Sequence, residues 1–166
     1  MNPIRTLVPM AAWALLPLIL QANPATRINP GHVPAGTLAV AMEVAVWGGE
    51  IRVTLTFRNH SPKVVWLEKL EEGQAPMRSE FEIRTNDGRL VPYLGPTAKR
   101  PVYTKGDFLA LEPGRTSQRE IRIDDRYDFP EGRKEYRATF SYLTWNVQTR
   151  EAVFRTFKSV KLTYGR

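Results

Sequence analysis

The clearest pattern in this sequence is a strict alternation of apolar and polar residues over two neighbouring stretches. Residues Thr37 to Trp47 and Glu50 to Asn59 each place large apolar side chains at every second position. Side chains on a β-strand point to opposite faces in turn, so each stretch predicts a strand with one buried face. Gly48 and Gly49 between them suit a two-residue turn, which predicts a β-hairpin. The predicted buried face comprises Leu38, Val40, Met42, Val44, Val46, Ile51, Val53, Leu55 and Phe57.

Shorter stretches of the same kind follow along the chain, separated by turn residues. No segment has a convincing helical period, and about eight strands with regular turn signals predict an all-β protein. We expect two antiparallel sheets packed as an immunoglobulin-like β-sandwich. The further strands are predicted at Val64–Leu67, around Phe81 and Ile83, and at Leu90–Leu94, Thr116–Ile123 and Tyr136–Tyr142. A short strand that ends in a turn is predicted at Leu109–Gly114, and a last strand or hairpin at Ala152–Tyr164.

Tyr136 follows Gly132 by four residues at the predicted entrance of a strand. In Greek-key sandwiches a tyrosine at such a corner buries its ring, and its hydroxyl forms a hydrogen bond with loop backbone. We expect this role for Tyr136.

The first 36 residues differ from the rest. Arg5 precedes an apolar stretch of about 14 residues, Leu7–Leu20, which is followed by small residues that suit cleavage after Ala22 or Ala25. We predict a signal peptide at residues 1–22, a Pro-rich extended leader at 23–36 and one domain at 37–166. The apolar stretch is shorter than the roughly 20 residues of a membrane-spanning helix, and an uncleaved anchor is the alternative.

The chain has no cysteine, which excludes disulfides, a lipoprotein anchor, thiolate zinc sites and cysteine nucleophiles. Loss of Arg5 with the signal peptide lowers the formal net charge from +7 to +6. Basic residues concentrate after position 98, which favours an acidic partner or the anionic envelope surface; a solvated outer face is the alternative. We expect no nucleic-acid partner, because no reader motif occurs. These features indicate a periplasmic or secreted bacterial protein.

The loop from Gly95 to Asp107 is the best candidate for binding, because it is long and basic and carries aromatic residues. A tryptophan that the fold leaves exposed, such as Trp47 or Trp145, would be an interface anchor. The candidate binding residues are Tyr93, Lys99, Arg100, Tyr103, Lys105, Asp107 and Phe108.

No catalytic constellation is recognisable. His32 and His60 have no companion ligand at metal spacing. Asp124, Asp125 and Asp128 could bind calcium, but they lack the spacing of a calcium loop, and a solvated turn is the alternative. We assign no catalytic residue, no metal and no other cofactor.

One segment has a family resemblance. Val91-Pro-Tyr-Leu-Gly-Pro96 followed by Lys99-Arg100 resembles the non-catalytic N-terminal domain of bacterial deuterolysin-type (aspzincin) zinc endopeptidases. Matching features follow at Asp107-Phe108, Leu111-Glu-Pro-Gly114, Tyr127-Asp128, Gly132 and Tyr136. Three residues separate the last two, where that family usually has one. The H-E-x-x-H motif of the peptidase half does not occur.

The resemblance implies an immunoglobulin-like accessory domain without its catalytic unit. We therefore expect a non-enzymatic protein that binds a protein partner, either as a peptidase inhibitor or as a chaperone-like module. The alternatives are a periplasmic immunity protein that neutralises a toxin and a carbohydrate-binding sandwich. Contact with a membrane is expected only if the signal is not cleaved.

Overall fold

The computed structural model describes residues 26–28, 38–69, 79–97, 102–157 and 159–165. This described part of the chain forms ten β-strands and no α-helix. Within these ranges no helix is long and apolar enough to cross a membrane. The strands are β1 (Thr26–Ile28), β2 (Leu38–Trp47), β3 (Glu50–Asn59), β4 (Val65–Glu68), β5 (Phe81–Thr85), β6 (Phe108–Leu111), β7 (Thr116–Arg122), β8 (Lys134–Asn146), β9 (Glu151–Thr156) and β10 (Val160–Tyr164).

The strands form two antiparallel sheets. The first has the order β1-β2-β3-β7, and the second is built around β8. The first half of β8 pairs with β5 and β10, and its second half pairs with β9 and β4, which in turn pairs with β6. The all-β prediction is confirmed, and the paired sheets are consistent with a β-sandwich.

The predicted hairpin is confirmed as β2 and β3. Its register runs from Leu38 opposite Asn59 to Trp47 opposite Glu50. Gly48 and Gly49 have φ angles of 60° and 84°, which glycine adopts without a steric penalty.

The core lies between the sheets and contains the inward side chains of both. On the first sheet these include Met42, Ile51 and Leu55, none of which is exposed. Phe57 meets the second sheet edge-on, with its ring centroid 6.2 Å from that of Phe140. Burial of one such side chain stabilises the fold by about 1.5–3 kcal/mol, so these alternating faces supply most of the driving force.

A fully buried carboxamide joins the end of β3 to β4 and β6. Asn59 Nδ2 donates to the carbonyls of Lys63 and Leu111, both at 2.8 Å. Its Oδ1 accepts from the backbone N–H and the hydroxyl of Ser61 at 2.9 and 2.7 Å. Its backbone carbonyl accepts from Gly114 N–H at 2.8 Å. The side chain of Asn59 therefore holds the loop after β3 and the end of β6, and its backbone carbonyl holds the turn that follows β6.

The structure differs from the prediction at Leu90–Leu94, where isolated bridges at Leu90 and Tyr93 replace a strand. Pro92 has no N–H and cannot donate to a ladder. Its carbonyl accepts from Asp128 N–H at 2.9 Å instead, which ties the segment to the loop before β8.

Most residues of the predicted signal peptide and leader lie outside the described ranges. The exception is Thr26–Ile28, which pairs with β2 at Met42–Val44 as an edge strand.

The prediction for Tyr136 is correct for the ring and wrong for the hydroxyl. Its ring is 1% exposed, but within the described part of the chain its hydroxyl has no hydrogen-bond partner. Tyr127 fulfils the role instead, because its hydroxyl donates to the Phe81 carbonyl at 2.8 Å and lies 2.9 Å from Ser79 Oγ. Burial raises the pKa of Tyr127 to about 12, so the hydroxyl stays protonated.

The two tyrosines give a matched pair of tests. We expect Tyr127→Phe to lower the free energy of unfolding by about 1–2 kcal/mol, because it removes a buried donor from a paired carbonyl. Tyr136→Phe should leave it within about 0.5 kcal/mol or raise it, because the lost hydroxyl is buried and unpaired. Urea unfolding followed by circular dichroism measures both. A larger loss at Tyr136 than at Tyr127 would contradict this assignment.

Candidate binding surface

Two tryptophans lie side by side on the outer face of the second sheet. Trp66 of β4 and Trp145 of β8 are directly opposite each other across the strand pair, and both are half-buried. Neighbouring Leu67 points into the core, so the alternation of β4 turns Trp66 outwards. The Phe108 ring lies 5.4 Å from Trp145 and 6.0 Å from Tyr103. We call Trp66, Tyr103, Phe108 and Trp145 the outer aromatic cluster.

The described end of the predicted binding loop is fastened to this cluster. Residues Lys105–Asp107 form a 3₁₀ turn, and the Asp107 carboxylate caps it by accepting from Thr104 N–H at 2.8 Å and its hydroxyl at 3.0 Å. Lys69 N–H donates to the Asp107 carbonyl at 2.8 Å, and Lys69 Nζ donates to the Gly106 carbonyl at 2.9 Å. These bonds hold the turn against the end of β4.

The anchored turn places a cation over an indole. Lys105 is exposed, and its Nζ lies 4.1 Å from the centroid of the Trp66 ring. A lysine above a tryptophan face at this distance is a favourable cation–π contact. The surface therefore combines a positive charge with aromatic groups.

The predicted site residues divide by position. Lys105 is exposed, and Tyr103 and Asp107 are half-buried, with Asp107 capping the turn. Phe108 is 3% exposed and supports the surface from within. Tyr93 packs its ring against Tyr127 with centroids 5.2 Å apart, and burial raises its pKa. Lys99 and Arg100 lie outside the described residues.

Neither Trp66 nor Trp145 is among the binding residues predicted from the sequence, although Trp145 is expected there to be an interface anchor if exposed. Their pairing joins two segments far apart in the chain, and period-2 patterning within one segment does not reveal it. One signal was present: Leu143 and Trp145 add apolar residues at the odd positions of β8, where strict alternation requires polar ones.

Trp47 is the most exposed of the described tryptophans, at 62%. It ends β2 beside the Gly48–Gly49 turn. Its interpretation as an interface anchor stays a prediction.

An inward-facing arginine lies between the sheets near β4. Arg119 of β7 donates to the Glu68 carbonyl, and its guanidinium lies 5.4 Å from the centroid of the Phe57 ring. Burial lowers its pKa, although the charges of Glu80 and Glu68 oppose this effect. Arg119, one of the basic residues counted after position 98, therefore connects the two sheets, with its guanidinium in the interior.

The aspartates at 124, 125 and 128 do not act as one group. Asp124 is 6% exposed and accepts from Ile51 N–H at 3.0 Å and from the Arg122 guanidinium at 2.8 Å, whereas Asp125 and Asp128 are exposed. Burial alone would raise the pKa of Asp124, but the hydrogen bonds from Arg122 and Ile51 outweigh it and lower the pKa. No group of three or more metal-binding side chains occurs among the described residues.

The ion pair between Arg122 and Asp124 stabilises the fold in a way that depends on pH. Because the pKa of Asp124 in the folded state is below its unfolded value of about 3.9, the stabilisation is complete above that pH and lost as pH falls through the folded value. We expect Asp124→Asn to be less stable at neutral pH and to lose less stability on acidification. Urea unfolding from about pH 6 to about pH 2 measures this, with exposed Asp125→Asn as the control. Parallel curves for wild type and Asp124→Asn would contradict the prediction.

Comparison with known proteins assigns no family. No protein-family model matches this chain, and a search of curated proteins finds no match.

Proposed function

We propose that this chain is a non-enzymatic binding protein whose outer aromatic cluster contacts a protein partner. The observation that carries the proposal is the half-buried pair of Trp66 and Trp145 on an outer sheet face, beside Tyr103 and exposed Lys105. Tryptophan and tyrosine are enriched among the few residues that contribute most of the binding energy at protein interfaces. A soluble sheet face without a partner has little reason to carry them together.

The rigidity of this surface supports the same function. The capped 3₁₀ turn and its bonds to Lys69 fix Tyr103 and Lys105 before any partner arrives. A surface that is already ordered loses less conformational entropy on binding, and more of the contact energy appears as affinity.

The nature of the partner rests on sequence. The segment that is similar to the accessory domain of aspzincin peptidases supports an immunoglobulin-like inhibitor or chaperone-like module, and the pattern of residues 1–22 supports a periplasmic or secreted location. Small size, export and a basic loop suit an immunity protein that binds a toxin equally well.

A carbohydrate-binding function is the second candidate, because two indoles on a sheet face can stack on sugar rings. The position of Lys105 favours a protein, since its ammonium group occupies one face of the Trp66 ring.

Affinity capture with matched variants tests the proposal. Tagged protein from Asn23 onwards is incubated with envelope and culture-supernatant proteins of the source organism. We expect the wild type to retain one protein. The variant Tyr103→Ala/Lys105→Glu should retain at least about tenfold less of it, because an aromatic contact and a charge are lost together. Lys161→Glu, an exposed change on β10, is the control and should retain it fully.

Three results would contradict the proposal. They are retention of glycans alone, equal retention by both variants, and a hydrolase activity of the purified protein that one point substitution abolishes. Thermal unfolding of each variant separates loss of binding from loss of the fold.

A further inference from the structure

A groove of about 670 Å³ opens beside Leu38, the first residue of β2. Its walls include the inward-facing side chains of β9 and of the second half of β8. The volume lies within the range of about 300–1,000 Å³ that is usual for ligand sites. Trp66 and Trp145 of the outer aromatic cluster also contribute to its lining. The other lining residues used below are Leu38, Lys63, Val65, Tyr142, Val153 and Arg155.

The groove is positively charged and mostly apolar. Lys63 and Arg155 are exposed, and within the described part of the chain neither forms an ion pair. Among the described residues that line the groove there is no aspartate or glutamate. Two cations without a neighbouring carboxylate attract an anionic ligand.

Two polar side chains of the groove, Tyr142 and Asn146, offer hydrogen-bond donors. Burial raises the pKa of Tyr142, although the charge of Arg155 opposes this, so the hydroxyl stays protonated. The Asn146 Oδ1 accepts from the backbone N–H of Gln148 at 2.9 Å, which fixes the carboxamide with its NH₂ group available to donate. Such donors suit carboxylates and peptide carbonyls.

We propose that this groove binds an acidic peptide segment that carries apolar side chains. Its carboxylates pair with Lys63 and Arg155, and its apolar side chains pack on Val65, Tyr142 and Val153. The charges of Lys63 and Arg155 favour an anionic segment over a neutral sugar. This inference rests on the proposed function, because the acidic segment is assigned to the protein partner.

Selection from a random peptide library displayed on phage tests the inference with the purified protein. We expect the selected peptides to be enriched in aspartate and glutamate next to aliphatic residues. Isothermal titration calorimetry of a selected peptide should give an affinity about tenfold lower for Lys63→Glu/Arg155→Glu, because two attractive pairs become repulsive. The affinity should also fall as salt is raised. The Lys161→Glu control should bind as wild type does.

The inference is overturned if nothing is selected, if selected peptides show no acidic bias, or if the charge-reversed variant binds them equally. Binding of oligogalacturonate without peptide binding would overturn it in favour of an acidic glycan. The two proposals fail separately. If Tyr103→Ala/Lys105→Glu still binds the peptide and still captures the partner as wild type does, only the proposal for the outer surface is refuted. Partner capture that depends on Lys105, with no peptide selected, refutes the groove alone.

Discussion

Both candidate surfaces, the outer aromatic cluster and the groove, depend on the hydrogen bonds of the buried Asn59 carboxamide. It bonds to the carbonyls of Lys63 and Leu111, 4 and 52 residues away in sequence, and so fixes where β4 begins and where β6 ends. A buried polar group that loses its partner costs about 1–3 kcal/mol, which makes other arrangements of these loops unfavourable. β4 then carries Trp66 to the outer face, and Lys63, Val65 and Trp66 all contribute to the groove.

The second constraint is the length of β8. Its first half has one buried face, as in an ordinary sandwich strand, and Tyr136 and Phe140 lie in the core. Its second half has apolar side chains on both faces, because Tyr142 packs inward while Leu143 and Trp145 face outward. One strand thus connects the core to the outer aromatic cluster. The function proposed for that surface follows from this departure from simple alternation.

The alternation of apolar and polar residues predicted those elements whose formation depends on residues near each other in sequence. The β2–β3 hairpin follows from alternation and two glycines, and the register agrees with it. The tyrosine bond was assigned to Tyr136 because its spacing from Gly132 suited a corner. The hydroxyl that donates to a backbone carbonyl is instead that of Tyr127, and the carbonyl belongs to Phe81, the first residue of β5 and 46 residues away. The alternating pattern predicts Asn59 only as the last residue of a strand and does not indicate its bonds to Lys63 and Leu111. Such roles depend on partners distant in sequence, and one segment alone does not contain that information.

The central claim is that the surface formed by Lys105 and the outer aromatic cluster contacts a protein. Site-specific photo-crosslinking in the living source organism tests it most directly, with a photoreactive amino acid at position 102, which is 91% exposed beside Tyr103, and, as the control, at exposed position 161. We expect one protein adduct from position 102 and none from position 161. The same adducts from both positions, or an adduct only from position 161, would contradict the claim.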